Sequence, residues 1–353
     1  MNVKIILSLA ASIIRLFIII LLFICNSKAE EKNIKYYSDD RGILSLMYHR
    51  FNEDKYPSTN IKMKVFKQQI EIIKQFQYNF YDPKDLEKSF NTIKTEKKIL
   101  ITIDDAFSSF YEFAWPYLKK EKIPFILFVS TEAVGKNGYM NWDQIKELEK
   151  ETNAYIGNHS HSHSYLVDME NRDFISDIEL SMSIFKKKLG YNPIFFSYPF
   201  GEYSSLIKEY ISNNFKFSFG QHSGVIDINK DRYELPRFPI NEKYGDLKRF
   251  KFLINLNPLQ YKSLYPIEKY LTVNNNPPKF LVKFFDKQKN IYNINCFSDE
   301  GDKWEKSNIN FDQNNLSLKF RNKFNFRRGR INCSLNDNGV WRWFGIQFSV
   351  EQN

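Results

Sequence analysis

From about residue 43 to residue 240 the chain alternates short apolar runs with amphipathic stretches of helical period. Beyond about residue 278 every apolar segment is strand-like. This change constrains the fold more than any other feature. Residues 43–48, 99–103, 125–129, 154–156, 194–197 and 215–219 read as buried strands. Residues 65–76, 107–120, 143–149, 173–189 and 204–213 between them read as helices, the 173–189 helix stopped by Gly190 with Pro193 soon after. Strands that alternate with helices imply a parallel sheet or an α/β barrel covered by helices.

The chain has 353 residues, enough for two domains. Residues 256–278, with Asn274-Asn275-Asn276-Pro277-Pro278, read as a linker between a body at 30–255 and a small all-β domain at 279–353. In that last segment, 280–285, 291–297, 316–320, 330–335 and 341–350 are the expected strands. Residues 1–29 hold Lys4, Arg15 and Lys28, no acid, and small residues at Ser27 and Ala29, the outline of an export signal. A retained anchor through residues 5–24, with Arg15 interrupting it, is the alternative. The chain is thus expected to be periplasmic or extracellular, or held at the inner membrane. Of three cysteines, Cys25 lies in that segment. Cys296 and Cys333 are expected to pair in an exported chain, worth about 2–4 kcal/mol.

The net charge of +10 invites a nucleic-acid reading. Its distribution argues against one. Residues 30–271 carry 35 basic and 33 acidic residues, and residues 272–353 carry 13 and 8. A nearly neutral body is not a dedicated nucleic-acid binder. The basic β segment is where contact with an anionic cell-envelope surface is expected.

Three features carry chemistry. The strand at 99–103 runs straight into Asp104-Asp105, and the C-terminal end of a parallel strand is where α/β barrels keep their active sites. Adjacent side chains diverge, so one carboxylate can meet a metal while the other faces water. A plain helix cap is the alternative. In Gly157-Asn158-His159-Ser160-His161-Ser162-His163, His159 and His163 are four apart, a spacing that suits two ligands converging on one metal, whereas His161 points elsewhere. An incidental His-rich loop is the alternative there. Ser197-Tyr198-Pro199-Phe200-Gly201 makes a rigid turn after a short strand, at the same rim.

In this order and spacing the features resemble the polysaccharide deacetylase family, the NodB-homology carbohydrate esterases. Thr102-Ile103-Asp104-Asp105 resembles its first motif, His159-Ser160-x-x-His163 its second, and Tyr198-Pro199-Phe200-Gly201 a variant of its third. Leu46-Met47-Tyr48-His49 is similar to the opening strand of its exported-polysaccharide branch. The resemblance implies a distorted (β/α) barrel of the NodB-homology type, here followed by the small all-β domain. It implies a divalent metal on Asp105, His159 and His163 (zinc, with cobalt or nickel as alternatives), Asp104 as general base, and the Phe200 N–H beside the oxyanion. The implied reaction removes N-acetyl groups from an N-acetylated polysaccharide or glycan and releases acetate.

Two positions depart from the pattern. Many members carry Arg in the third motif where Ser197 stands, and Arg237 is the candidate substitute. The late motif that supplies the acid is not evident. His222 is the candidate for that role, and His49 is the other unassigned histidine near a strand end. These gaps leave a non-catalytic glycan-binding protein as the competing reading, although the retained Asp104 argues against it. A metallopeptidase lacks support, since no His-Glu-x-x-His stretch occurs. Trp341 and Trp343 share a strand face with Arg327, Arg328 and Arg330 nearby, which is either core or a surface for sugar rings.

Overall fold

A computed structural model describes residues 39–352, apart from 152, 287, 289 and 302. The export segment expected at residues 1–29 lies outside them. No helix among the described residues is long and apolar enough to cross a membrane.

Six strands are laid side by side in chain order. They are β1 (Ile43–Tyr48), β2 (Lys98–Ile103), β3 (Phe125–Val129), β4 (Ala154–Asn158), β5 (Phe195–Ser197) and β6 (Phe217–Phe219), each parallel to its neighbour. β1 is buried along its whole length and β2 from its second residue, as expected for strands covered on both faces. On the outside lie α1 (Met63–Gln75), α2 (Trp115–Lys120), α3 (Trp142–Glu149), α4 (Asn171–Leu189), α5 (Ser205–Asn214) and α6 (Leu247–Ile254). α1 buries Met63, Phe66, Gln69, Ile70 and Ile73, a stripe with helical period that sits in the main apolar core. The helix expected at 107–120 is split. A π-helical turn at Phe110–Ala114 precedes α2, because Pro116 has no N–H to continue the ladder and takes a place in the first turn instead.

The sheet curls until its ends nearly meet, and residues 235–239 fill the gap. Leu235 bridges Phe219 at the end of β6, and Phe238–Pro239 pairs in parallel with β1 at Leu46 and Met47. The backbone bonds Gly220 N–H to Leu235 O, Arg237 N–H to His222 O and Ile240 N–H to Met47 O stitch both sides, each at 2.9 Å. The result is a distorted (β/α) barrel. Arg237 sits in its closing segment, wholly buried.

The C-terminal part forms two sheets. The larger is built on a long hairpin, Arg328–Asp337 with Val340–Val350, and the smaller on Phe280–Lys283, Asn308–Asp312 and Asn315–Lys319. The Cys296–Cys333 disulfide joins facing positions of Asn295–Asp299 and the first hairpin strand. Two expectations change here. Residues 256–278 are no free linker. Asn257–Pro258 and Tyr270–Leu271 pair with the second hairpin strand, and Ser263–Tyr265 pairs with Phe280–Lys283. The strand expected at 291–297 starts later, because Ile291–Asn293 is a 3-10 turn.

The larger sheet rests directly on the barrel. Gly224 bridges Phe344, the Trp343 indole N–H donates to Ser223 Oγ at 2.9 Å, and Ser223 Oγ donates to Asn332 Oδ1 at 2.7 Å. Gly345 permits this approach, since a Cβ there would lie 2.6 Å from the Ser223 carbonyl oxygen and 2.5 Å from Asn332 Oδ1. Gly345→Val is expected to destabilise the fold by about 1–3 kcal/mol through overpacking. Urea melts of the variant and the wild type check this, and an unchanged midpoint would contradict the close docking.

Candidate active site

The C-terminal ends of β1, β2, β4 and β5 deliver the site. Asp104 and Asp105 follow β2, with Asp104 N–H bonded to Tyr48 O at 2.9 Å across the β1–β2 pair. His159 follows β4, buried, and its ring Nδ1 lies 2.6 Å from the Ser197 carbonyl at the end of β5. A carbonyl only accepts, so Nδ1 carries the proton and the Nε2 lone pair is free to bind a cation. Nε2 of His159 is 3.5 Å from Asp105 Oδ1, and Nε2 of His163 is 3.2 Å from the same oxygen. One ligand atom from each of the three residues falls within 4.8 Å of the others.

The histidine loop is held from behind. Asp177 of α4 accepts from the N–H groups of His161 and Ser162 at 2.8 and 2.9 Å. Asn158 Oδ1 accepts from Ser160 N–H and its amide donates to Ser181 Oγ. Ser160 Oγ accepts from His163 N–H at 3.0 Å. His161 turns away to Thr131 Oγ1. Asp105, Ala106, Ser160, His163 and Phe200 all have φ between 54° and 75°. Five non-glycine residues in the left-handed region around one point is a concentration of backbone strain of the kind found at functional sites.

Asp104 is wholly buried and shares two parallel bonds with Arg237, Nη1 to Oδ1 at 2.6 Å and Nη2 to Oδ2 at 2.9 Å. The guanidinium also donates to Ser197 Oγ at 2.8 Å, Gly220 O at 2.9 Å and Thr102 Oγ1 at 3.2 Å. Burial pushes the Asp104 carboxyl up. The charge of its partner Arg237 leads the groups that outweigh it and hold the carboxyl below the usual carboxylate range. Burial likewise opposes charge on Asp105, but His163, through a hydrogen bond and its charge, leads His49 and His159 in pulling that carboxyl down. His159 is pushed down to about 4 by burial and is therefore neutral near pH 7, the form that binds metal. One carboxylate oxygen and two imidazole nitrogens, one with its tautomer fixed, fit a borderline divalent ion such as zinc and leave room for further ligands.

Asp105 and His163 are partly open to a cavity of about 660 Å³, whose wall also includes His49, Phe200, His222, Trp304 and Trp343. His49 and His222 stand differently in it. His49 follows β1 one step beyond the Tyr48–Ile103 pair. His222 is 8% exposed and is pushed down to about 4 by burial. The Glu234 carboxylate favours its charge, and Lys269, Lys230 and Arg237 oppose it. Both histidines line the cavity into which Asp105 and His163 open. The signal for His49 was present in the sequence, since Tyr48-His49 ends the first strand as Asp104 ends the second.

Phe200 packs edge-on to His163 at 4.7 Å and stacks on Tyr165 at 4.1 Å. Arg327 of the C-terminal segment lies over Tyr165 at 3.4 Å and pairs with Asp168 at 2.6 Å and Glu202 at 3.1 Å. Gln347 donates to the carbonyls of Phe200 and Gly201 at 3.1 and 3.2 Å. Trp343 lines the cavity, whereas Trp341 is exposed and packs edge-on to Phe252. Arg327, Gln347 and Asp177 carry no local motif, so only the tertiary fold shows their part.

Residues 91–216 match the polysaccharide deacetylase family. That span contains Asp104, Asp105, His159, His163 and Phe200. This stretch is that of a polysaccharide deacetylase, and with the relatives it marks an enzyme of that type. It is 24% identical over 245 residues to the poly-beta-1,6-N-acetyl-D-glucosamine N-deacetylase of Staphylococcus epidermidis, a match over 61% of this chain and 85% of that protein. The solved IcaB structure from Ammonifex degensii matches with a TM-score of 0.54 and 25% identity, over 61% of this chain and 98% of that one. The Streptococcus pyogenes deacetylase PplD, solved with acetate, shares the fold with a TM-score of 0.55 and 21% identity, over 61% of this chain and 99% of that one.

Removing Arg237 leaves a buried carboxylate unpaired. Arg237→Met is expected to cost about 3–5 kcal/mol of stability, and adding Asp104→Asn should restore a good part of it. Denaturant melts of the single and double variants give the coupling. Strictly additive losses would show that the pair is not the interaction described.

Proposed function

We propose that the protein is a metal-dependent N-deacetylase of an N-acetylated polysaccharide, exported and working outside the cytoplasm. The observation that carries this is the Asp105–His159–His163 cluster set beside the buried Asp104–Arg237 pair, with Asp105 and His163 open to one cavity. A binding protein has no use for a buried carboxylate aimed at the same point as three ligands.

Asp105, His159 and His163 would hold the metal, zinc or in its place cobalt or nickel. When bound, that ion supplies Lewis-acid polarisation of the acetamide carbonyl and of water. Asp104 is the proposed general base. Arg237 keeps it ionised and fixes both its oxygens, so that it takes the proton of the attacking water without turning. The Phe200 N–H, in a turn held by Gln347 through the carbonyls of Phe200 and Gly201, is the proposed donor to the oxygen that gains charge. His49, which follows β1 as Asp104 follows β2, is the proposed proton donor to the departing amine, and His222, in the same cavity wall, is the alternative. The products are acetate and a glycan bearing a free amine. The likeness to the staphylococcal N-deacetylase supports a β-linked N-acetylglucosamine polymer as the substrate type.

Acetate release from N-acetylglucosamine oligomers tests this. The wild type with metal should release acetate in step with new amine, and a chelator should abolish it. Asp104→Asn should lower the rate by about 10²–10⁴, the range for a positioned acid–base group. His49→Ala should fall in the same range and His222→Ala well short of it. Equal rates for wild type and Asp104→Asn would remove the base assignment.

A further inference from the structure

The cavity carries a charge imbalance that deacetylation itself does not use. Arg249, Arg328 and Arg330 line it, and among the described residues the one carboxylate in its wall is Asp105, already part of the ligand cluster. Arg328 and Arg330 stand two apart on one face of the first hairpin strand, and Arg249 lies on α6. The three differ in how far their charge is already matched. Arg328 Nε is 3.6 Å from Glu202, a carboxylate it shares with Arg327. Neither Arg249 nor Arg330 has a carboxylate within 4 Å among the described residues. Arg249 donates to the Tyr244 carbonyl, and Arg330 Nε donates to Gln347 Oε1 at 3.2 Å.

The surroundings make these two guanidiniums receptive to an anion. Burial works against the charge of each and holds both below the ordinary arginine value. Asp246 acts on Arg249 and Asp299 on Arg330, both beyond ion-pair distance, and Tyr244 acts on both. Arg249 lies over the Tyr244 ring at 5.1 Å, and Tyr244, Arg249 and Arg330 all line the same cavity. A partly desolvated guanidinium without a carboxylate gains from a charge-assisted, two-pronged bond to an incoming anion. Trp304, 42% exposed, and Trp343 add flat apolar faces on which a sugar ring can lie.

A neutral N-acetylglucosamine homopolymer would leave these charges unused. Its deacetylated product is a polyamine, which the same arginines would repel. We propose that the substrate is an N-acetylated glycan bearing carboxylate or phosphate substituents, and that Arg330 and Arg249, beside Trp304 and Trp343, form the subsite that holds the anion while a neighbouring sugar is deacetylated. This rests on the deacetylase reading and narrows its substrate class. The subsite comes from the C-terminal hairpin and α6, both outside the stretch that matches the family.

The test uses the full chain loaded with metal and three tetrasaccharides. These are chitotetraose, its counterpart with a 3-O-lactyl carboxylate on alternate sugars, and its 6-O-phosphorylated counterpart. Acetate release gives kcat/KM, and calorimetry on Asp104→Asn gives Kd without turnover. At least one anionic oligomer should exceed chitotetraose by about tenfold in both measures, the effect of one charge-assisted hydrogen bond. The better of the two tells carboxylate from phosphate. The preference should shrink at about 0.5 M salt. It should fall toward unity in Arg330→Gln and survive in large part in Arg330→Lys. Should Arg330→Gln not fold, Arg249→Gln and the wild-type salt dependence carry the same decision. Equal values for all three oligomers, insensitive to salt, would overturn the proposal. Failure to deacetylate any of them would overturn the deacetylase reading, while the Kd comparison would still decide the subsite.

Discussion

The bond between Arg237 and Asp104 is the interaction on which the site depends. Both groups are wholly buried, and taking each ion out of water costs several kcal/mol, a penalty offset only by near-ideal geometry and full satisfaction of the remaining donors. That requirement fixes much of the barrel. The guanidinium needs Ser197 at the end of β5, Thr102 within β2 and the Gly220 carbonyl after β6, all at once. Only a segment lying between β6 and β1 can reach all of them, and residues 235–239 occupy that place. Closing the barrel and orienting the base are therefore one structural event. The same Ser197 supplies its carbonyl to His159, so the pair and the ligand cluster share a support.

The C-terminal sheets complete this arrangement. Gly345 lets the hairpin backbone approach the loop after Gly220, Gln347 grips the turn that holds Phe200, and Arg327 covers the stack that begins at His163. Arg328, Arg330 and Trp343 then stand in the wall of the cavity into which Asp105 and His163 open. The excess basic charge of the last 82 residues is thus partly directed inward at the site, rather than spread over a remote surface.

How far the sequence foretold this depended on how local each feature is. The six parallel strands were legible because buried apolar runs separated by amphipathic helices have few other folds. Asp104-Asp105 and His159 with His163 were legible because each pair falls within one turn of chain. Arg237 could be named only as a candidate, since its value lies in reaching three strands distant in sequence. His222 and His49 could not be ranked from the sequence, because only the fold sets both in the wall of one cavity. Residues 256–278 looked like a linker because strands of two or three residues carry no readable period, and their pairing partners lie up to 85 positions away. Asp177 and Gln347 left no trace at all, being ordinary polar residues until the fold sets them against the site, and Arg327 showed only as one of a basic cluster.

The central claim is the division of labour between two adjacent carboxylates, Asp105 as metal ligand and Asp104 as base. Elemental analysis of metal per chain tests it most directly, on wild type, Asp105→Ala and Asp104→Asn purified and dialysed alike. The account predicts about one divalent ion per chain in the wild type and in Asp104→Asn, and close to none in Asp105→Ala, as for a site that loses one of three protein ligands. Retention of the ion in Asp105→Ala, or its loss in Asp104→Asn, would contradict the account.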